Sequence, residues 1–196
     1  MVVGLGNPGP EYASTRHNAG FLAIDRLAEK VGRFSGWRRE GAMDRGEGRA
    51  GRHTVRLVKP LEYMNRSGRA ARSLLAEGLL AEEILVVCDD VYLPLGTLRL
   101  RRSGGTAGHQ GLESILAVTG TDAFPRLRIG VGPPPGAERL KEYVLERFTE
   151  EEEAVLPRVI EAAASAAFDA AAEGLTQAMN RWNRFVLDPV EPRGNE

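Results

Sequence analysis

Val2–Gly20 reads VVGLGNPGPEYASTRHNAG, and Gly4, Gly6 and Gly9 within it spell G-x-G-x-x-G. An apolar start running into glycines and then into a helical pattern opens a strand–loop–helix unit, and the question is what the loop holds. A dinucleotide needs the helix to begin inside the glycine motif, so that free N–H groups face the pyrophosphate. Pro8 and Pro10 lack that N–H and disfavour helix at the residue before each of them. The helical stripe of Phe21, Ile24, Leu27, Ala28 and Val31 starts well after the motif. The acidic residue that should close a second strand is also missing, because Asp25 falls inside that stripe. The loop therefore shapes backbone for other chemistry, and a nucleotide-dependent oxidoreductase rests on the glycines alone.

Outward from this unit, apolar runs recur at 54–58 (TVRLV), 84–88 (ILVVC), 98–100 (LRL) and 127–132 (LRIGVG), each bounded by turn residues. Helical stripes lie between several of them, at Ala70–Leu75 and Leu112–Val118. Strands alternating with helices need crossovers, so the fold class is α/β. The expected architecture is a single domain with a mixed, largely parallel twisted sheet flanked by helices, phosphorylase/hydrolase-like in kind. Residues 33–51 suggest an extra strand or hairpin, and TLRLRRS alternates Leu with Arg as an edge or antiparallel strand would. Thr149-Glu-Glu-Glu152 reads as a capping box opening a helical region that continues past Gly174 to about Phe185, with Pro157 expected to kink or restart it. The domain spans 1–187, and 188–196 reads as a mobile tail.

With 196 residues, 42% hydrophobic and 27% charged, the chain suits one well-buried core. No apolar stretch is long enough to span a membrane, and Met-Val-Val-Gly enters a strand at once instead of a secretory leader. The lone Cys88 rules out an internal disulfide and is compatible with the cytoplasm. Bases outnumber acids over 33–72 and acids outnumber bases over 137–196, so a near-zero net charge hides two halves of opposite sign. Such a pattern presents a positive surface to phosphates, or consists of solvated faces only. Arg99, Arg101 and Arg102, with Arg126 and Arg128 on the neighbouring run, form a candidate phosphate clamp.

Ligands of parallel sheets bind at the carboxyl ends of the strands. Asn7 follows the first run, Asn65 and Ser67 the second, Asp89 and Asp90 the third, and His109 and Gln110 follow LRLRRS. Ser14, Thr15 and Asn18 read as helix caps, whereas His17 is a poor cap and a candidate base. Parallel strands would gather Asn7, His17, Asn65 and Asp89 on one rim, where a carboxylate can orient an imidazole and amides can hold a carbonyl and a water. That is a hydrolytic set without a serine or cysteine nucleophile, since no G-x-S-x-G occurs and Cys88 ends an apolar run. His17, His53 and His109 are widely spaced, so no metal and no cofactor are expected.

With GLGNPGPEYASTRHNAG, KPLEYMNRSG and GHQGLESI assembled, the chain from Val2 to about Phe185 resembles the bacterial peptidyl-tRNA hydrolases. The resemblance implies a monomeric α/β enzyme that hydrolyses the ester between a peptide and the terminal ribose of tRNA. It implies His17 as base, Asp89 as its orienting carboxylate, and Asn7 and Asn65 as groups positioning the substrate beside the attacking water. Tyr12, Tyr63 and Met64 would line the substrate groove, His109 and Gln110 would belong to a lid, and Arg101 and Arg128 would contact the tRNA 5′-phosphate. A noncatalytic RNA-binding relative is the alternative. Two residues depart from the family pattern: Gln110 stands where an asparagine is usual, and Ala107 where a glycine is. If the backbone at 107 needs positive φ, alanine there is strained.

Overall fold

The computed structural model describes residues 1–133, 136 and 139–187. Its strands are β1 (Val2–Gly4), β2 (Arg38–Glu40), β3 (Met43–Ala50), β4 (His53–Pro60), β5 (Leu85–Pro94), β6 (Leu98–Arg101) and β7 (Arg126–Gly132). They form one sheet in the order β2-β3-β4-β1-β5-β7-β6. The centre, β4-β1-β5-β7, is parallel, and both margins are antiparallel. The sheet is thus mixed and largely parallel at its core. The 33–51 segment supplies the β2–β3 hairpin, and β6 is the other edge strand.

Alternation along the strands feeds two cores. Val2, Leu57, Val87, Leu127 and Ile129 face one layer, beneath α1 (Ala19–Lys30), α5 (Glu150–Ala172) and α6 (Leu175–Trp182). Val3, Val58, Val86 and Cys88 face the other, beneath α2 (Gly68–Ala76) and α3 (Gln110–Thr119). Each fully buried Leu or Ile side chain contributes about 1.5–3 kcal/mol relative to exposure. A short helix, α4 (Leu140–Leu145), leads into α5.

The glycines of the opening loop serve packing. A Cβ on Gly4 would lie 2.6 Å from the Gly20 carbonyl, and one on Gly20 2.4 Å from the Val87 carbonyl and 2.5 Å from that of Leu5. Helix α1 therefore seats directly on β1 and β5, with Gly9 at φ 116 turning the loop between them.

Two local expectations need correction. Helix α5 does not restart at Pro157 but runs through it. Glu153 and Pro157 are both exposed, so water can satisfy the carbonyl that loses its partner. The helical region does continue past Gly174, as two helices that the φ of 95 at that glycine separates, α5 and α6. Asp89 and Asp90 do not follow β5 but lie within it, because β5 extends beyond Val87, the partner of the last β1 residue. The capping box at Thr149 forms as expected: Glu152 N–H donates to Oγ1 at 3.3 Å, and Thr149 N–H to Glu152 Oε2 at 2.8 Å. The 188–196 tail lies outside the described residues.

Candidate active site

At the carboxyl edge of the parallel strands lies a cavity of about 470 Å³. Asn7, His17, Asn65 and Asp89 all line it, as do Tyr12, Tyr63, Met64, His109, Gln110 and Arg128. Arg101 does not; it stands exposed at the end of the edge strand β6.

His17 sits in a buried 3-10 turn, Arg16–Asn18, just ahead of α1. Its Nδ1 is 2.9 and 3.0 Å from the two oxygens of Asp89. An ionised carboxylate only accepts, so Nδ1 carries a proton, and in the neutral ring the lone pair is on Nε2. Asp89 also meets His109, whose Nε2 is 3.0 Å from Oδ1. His109 is the N-cap of α3, and its Nδ1 accepts from the N–H groups of Gly111 at 3.1 Å and Leu112 at 3.3 Å. Accepting at Nδ1 fixes the neutral Nε2–H tautomer, which donates to Asp89. Burial alone would push the Asp89 carboxyl up, but His17 and His109 hold it well below the ordinary carboxylate range. Burial pushes the Cys88 thiol up, which leaves it inert as a nucleophile.

His17, Asp89 and His109 are also the one group among the described residues whose donor atoms lie close enough to share a metal ion. Those atoms are already donor and acceptor to one another, so a cation would have to displace both imidazole–carboxylate hydrogen bonds.

Asn7 is held from two sides. The Asn18 side chain accepts from Asn7 N–H at 2.8 Å and donates to its carbonyl at 2.9 Å. Asn18 makes no capping bond, so its expected role as a helix cap gives way to clamping the Asn7 backbone. Thr15 likewise makes no cap and donates instead to the Tyr12 carbonyl at 2.8 Å. Asn7 Oδ1 accepts from Met64 N–H at 2.7 Å, which leaves the NH₂ of the amide as the donor available to a ligand. Met64 is itself buried and supports the second core. Asn65 is exposed in the 3-10 turn Met64–Arg66, at the cavity wall. Tyr12 and Tyr63 pack edge to face with centroids 6.3 Å apart.

The arginine clamp does not assemble as a unit. Arg126 is 1% exposed and spends its guanidinium on backbone carbonyls: Asp122 at 2.7 Å, Phe124 at 3.0 Å, Gly105 at 3.3 Å and also Gly104. It anchors the root of the 103–109 loop. Arg99 donates to the Asn183 carbonyl at 3.0 Å, and Arg102 reaches Thr176. Arg128 pairs with buried Asp90 through Nε at 2.6 Å, beside the cavity. Within 33–72, Arg39, Arg45, Arg56, Lys59 and Arg69 are ion-paired with acids, which trims the positive surface suggested by composition.

Sequence reasoning missed the far wall: Tyr92 on β5, and Leu140, Lys141, Val144 and Leu145 on α4. Tyr92 is 62% and Leu145 46% exposed. Their signal was weak, because an exposed apolar residue on a six-residue helix looks like a surface accident. Ala107 has φ 50, so the strained alternative is the one found, on a loop flanked by Gly104 and Gly108 at positive φ.

The profile of the family described as peptidyl-tRNA hydrolase matches residues 1–190. A peptidyl-tRNA hydrolase of Moorella thermoacetica is 49% identical over 185 residues, covering 93% of this chain and 97% of that protein. One of Chloroflexus aggregans is 49% identical over 186 residues, covering 93% and 98%. A crystal structure of the enzyme from Acinetobacter baumannii superposes with a TM-score of 0.86 at 37% identity, covering 94% of each chain. With a whole-chain profile match and near-full-length relatives of this identity, the chain belongs to the peptidyl-tRNA hydrolase family.

Proposed function

We propose that the protein hydrolyses peptidyl-tRNA without a metal, and that the His17–Asp89 pair does the proton transfer. The observation that carries this reading is the 2.9 Å contact between His17 Nδ1 and Asp89, which leaves Nε2 as the base at the cavity that His17 lines. A water held at Nε2 loses its proton as it attacks the acyl carbonyl. The Asn7 amide, oriented by Met64 and Asn18, donates to the oxygen on which charge develops, and Asn65 holds the substrate main chain. The carbonyl re-forms as the bond to the ribose oxygen breaks, and the proton on His17 passes to that oxygen.

Tyr12, Tyr63 and Met64 would line the acyl-bearing end of the substrate, and His109 and Gln110 would meet it from the fixed start of α3. Arg101 and Arg128 would meet the acceptor-stem phosphate, with tRNA as the partner. The proposal takes the enzyme to act as a monomer in the cytoplasm, and the lone buried thiol of Cys88 is compatible with a reducing compartment. The paired His17 and Asp89 favour catalysis over a noncatalytic RNA-binding role.

The test is release of N-acetylaminoacyl groups from tRNA in excess chelator, comparing wild type with His17→Ala. Full wild-type turnover with a loss of about 10²-fold or more in the mutant is expected. Undiminished turnover in His17→Ala would refute the mechanism, and wild-type loss in chelator would replace it with a metal-dependent one.

A further inference from the structure

Arg16 immediately precedes the base, yet its side chain turns away from the cavity and is 3% exposed. Its Nη1 donates to the Arg147 carbonyl at 2.8 Å and the Tyr143 carbonyl at 3.4 Å, and its Nη2 to Glu152 Oε2 at 2.5 Å. The guanidinium carbon lies 4.2 Å from the centre of the Tyr143 ring and 5.4 Å from that of Phe148. Backbone adds to the link: Arg16 N–H donates to the Glu146 carbonyl at 3.2 Å, and Thr15 bridges Arg147. Everything Arg16 grips therefore belongs to α4, to the turn after it, or to the first turn of α5.

Helix α4 has six residues, too few to be stable alone, and its hold on the body of the protein is correspondingly explicit. Tyr143 is its buried residue, with the hydroxyl donating to the Val131 carbonyl at 2.7 Å. Arg16 places a positive charge over the helix's C-terminal carbonyls, where the helix dipole favours a cation. The opposite face of α4 supplies Leu140, Lys141, Val144 and Leu145 to the cavity wall.

We infer that Arg16 is a positioning residue for substrate binding: it ties the α4 wall of the cavity to the turn that carries His17, so that the wall and the base keep a fixed separation. This rests on the hydrolase reading above. Lys at this position would keep the charge but not the simultaneous grip on two carbonyls, Glu152 and the Tyr143 ring. Glu152→Gln approaches the same anchor from outside the cavity and preserves the capping box, since glutamine serves at that position.

The experiment measures KM and kcat of wild type, Arg16→Lys and Glu152→Gln on an N-acetylaminoacyl-tRNA, with amide hydrogen exchange of Leu140–Leu145 read on the free proteins. KM should rise about tenfold in Arg16→Lys and less in Glu152→Gln, with kcat within about twofold of wild type. Exchange in α4 should quicken in both variants while α1 stays unchanged. A fall in kcat at constant KM would overturn the inference, because Arg16 would then act on His17. Unchanged KM and unchanged α4 exchange in both variants would overturn it as well. The exchange arm needs no substrate, so it separates failure of the anchor from failure of the hydrolase reading, which would appear as an inactive wild type.

Discussion

His109 and His17 share the carboxylate of Asp89, with their ring centroids 5.0 Å apart. Asp89 is thus an acceptor for two imidazoles, only one of which has a ring nitrogen left over for chemistry. His109 spends its other nitrogen on capping α3.

Removing His109 should therefore have two separable effects. His109→Ala loses the N-cap of α3 and one of the donors to Asp89, costing about 1–2 kcal/mol in stability. His109→Asn restores a capping oxygen but not the reach to Asp89. It should regain most of the stability in denaturant melts while kcat stays depressed. Equal kcat for wild type and His109→Asn would show that the bond to Asp89 is dispensable.

Asp89 makes a pH-dependent contribution whose sign follows from its lowered folded-state pKa. An unfolded aspartate titrates near pH 3.9, so between that value and the lower folded one the unfolded chain binds more protons. The stabilisation is complete above about pH 5 and fades as the pH falls below about 4. Wild type should gain stability over Asp89→Asn through that window on going up in pH. Chemical denaturation of both proteins at stepped pH measures this, and a difference independent of pH would remove Asp89 as its source.

Ala107 holds φ 50, a conformation that costs an L-residue about 1–2 kcal/mol and glycine almost nothing. Against this, Ala107→Gly adds unfolded-chain entropy worth about 0.4–1 kcal/mol. The net expectation is a gain of about 0.5–1 kcal/mol in thermal or denaturant unfolding. A destabilised variant would mean that the loop relaxes the strain elsewhere.

The two arginines that face each other across β6 and β7, Arg101 and Arg126, should behave oppositely. Arg101→Ala on the exposed edge should weaken tRNA binding and reduce the salt slope by about one. Arg126→Met should leave that slope unchanged but lower stability, because four backbone carbonyls lose a buried donor. Titrations of tRNA at several salt concentrations, with melts of both variants, distinguish them.

The parallel centre of the sheet was legible because a run such as 84–88 is apolar on both faces, as buried parallel strands must be, and 127–132 keeps Leu127, Ile129 and Val131 on one face. The rim residues followed from that, since they sit where those runs end. What the sequence concealed depends on side chains crossing between elements. Asn18 looks like a cap until the Asn7 backbone comes within its reach, and Arg126 looks like surface charge until the 103–109 loop folds over it. His109 reads as a loop residue because nothing local shows that α3 begins one position later, with Asp89 across from it. Pro157 misled because a missing hydrogen bond on an exposed helical face is cheap.

The close approach of Gly4 to Gly20 leaves backbone against backbone with no adjustable side chain between them. A rotamer can absorb a neighbour's drift, but two carbonyls and a peptide plane cannot. The base is therefore located to within atomic contact by the absence of two methyl groups, and even Gly20→Ala, the smallest possible change, has nowhere to go except by lifting α1 and carrying His17 out of register with Asp89. A side chain at that position is accommodated only by moving backbone, and the site moves with it.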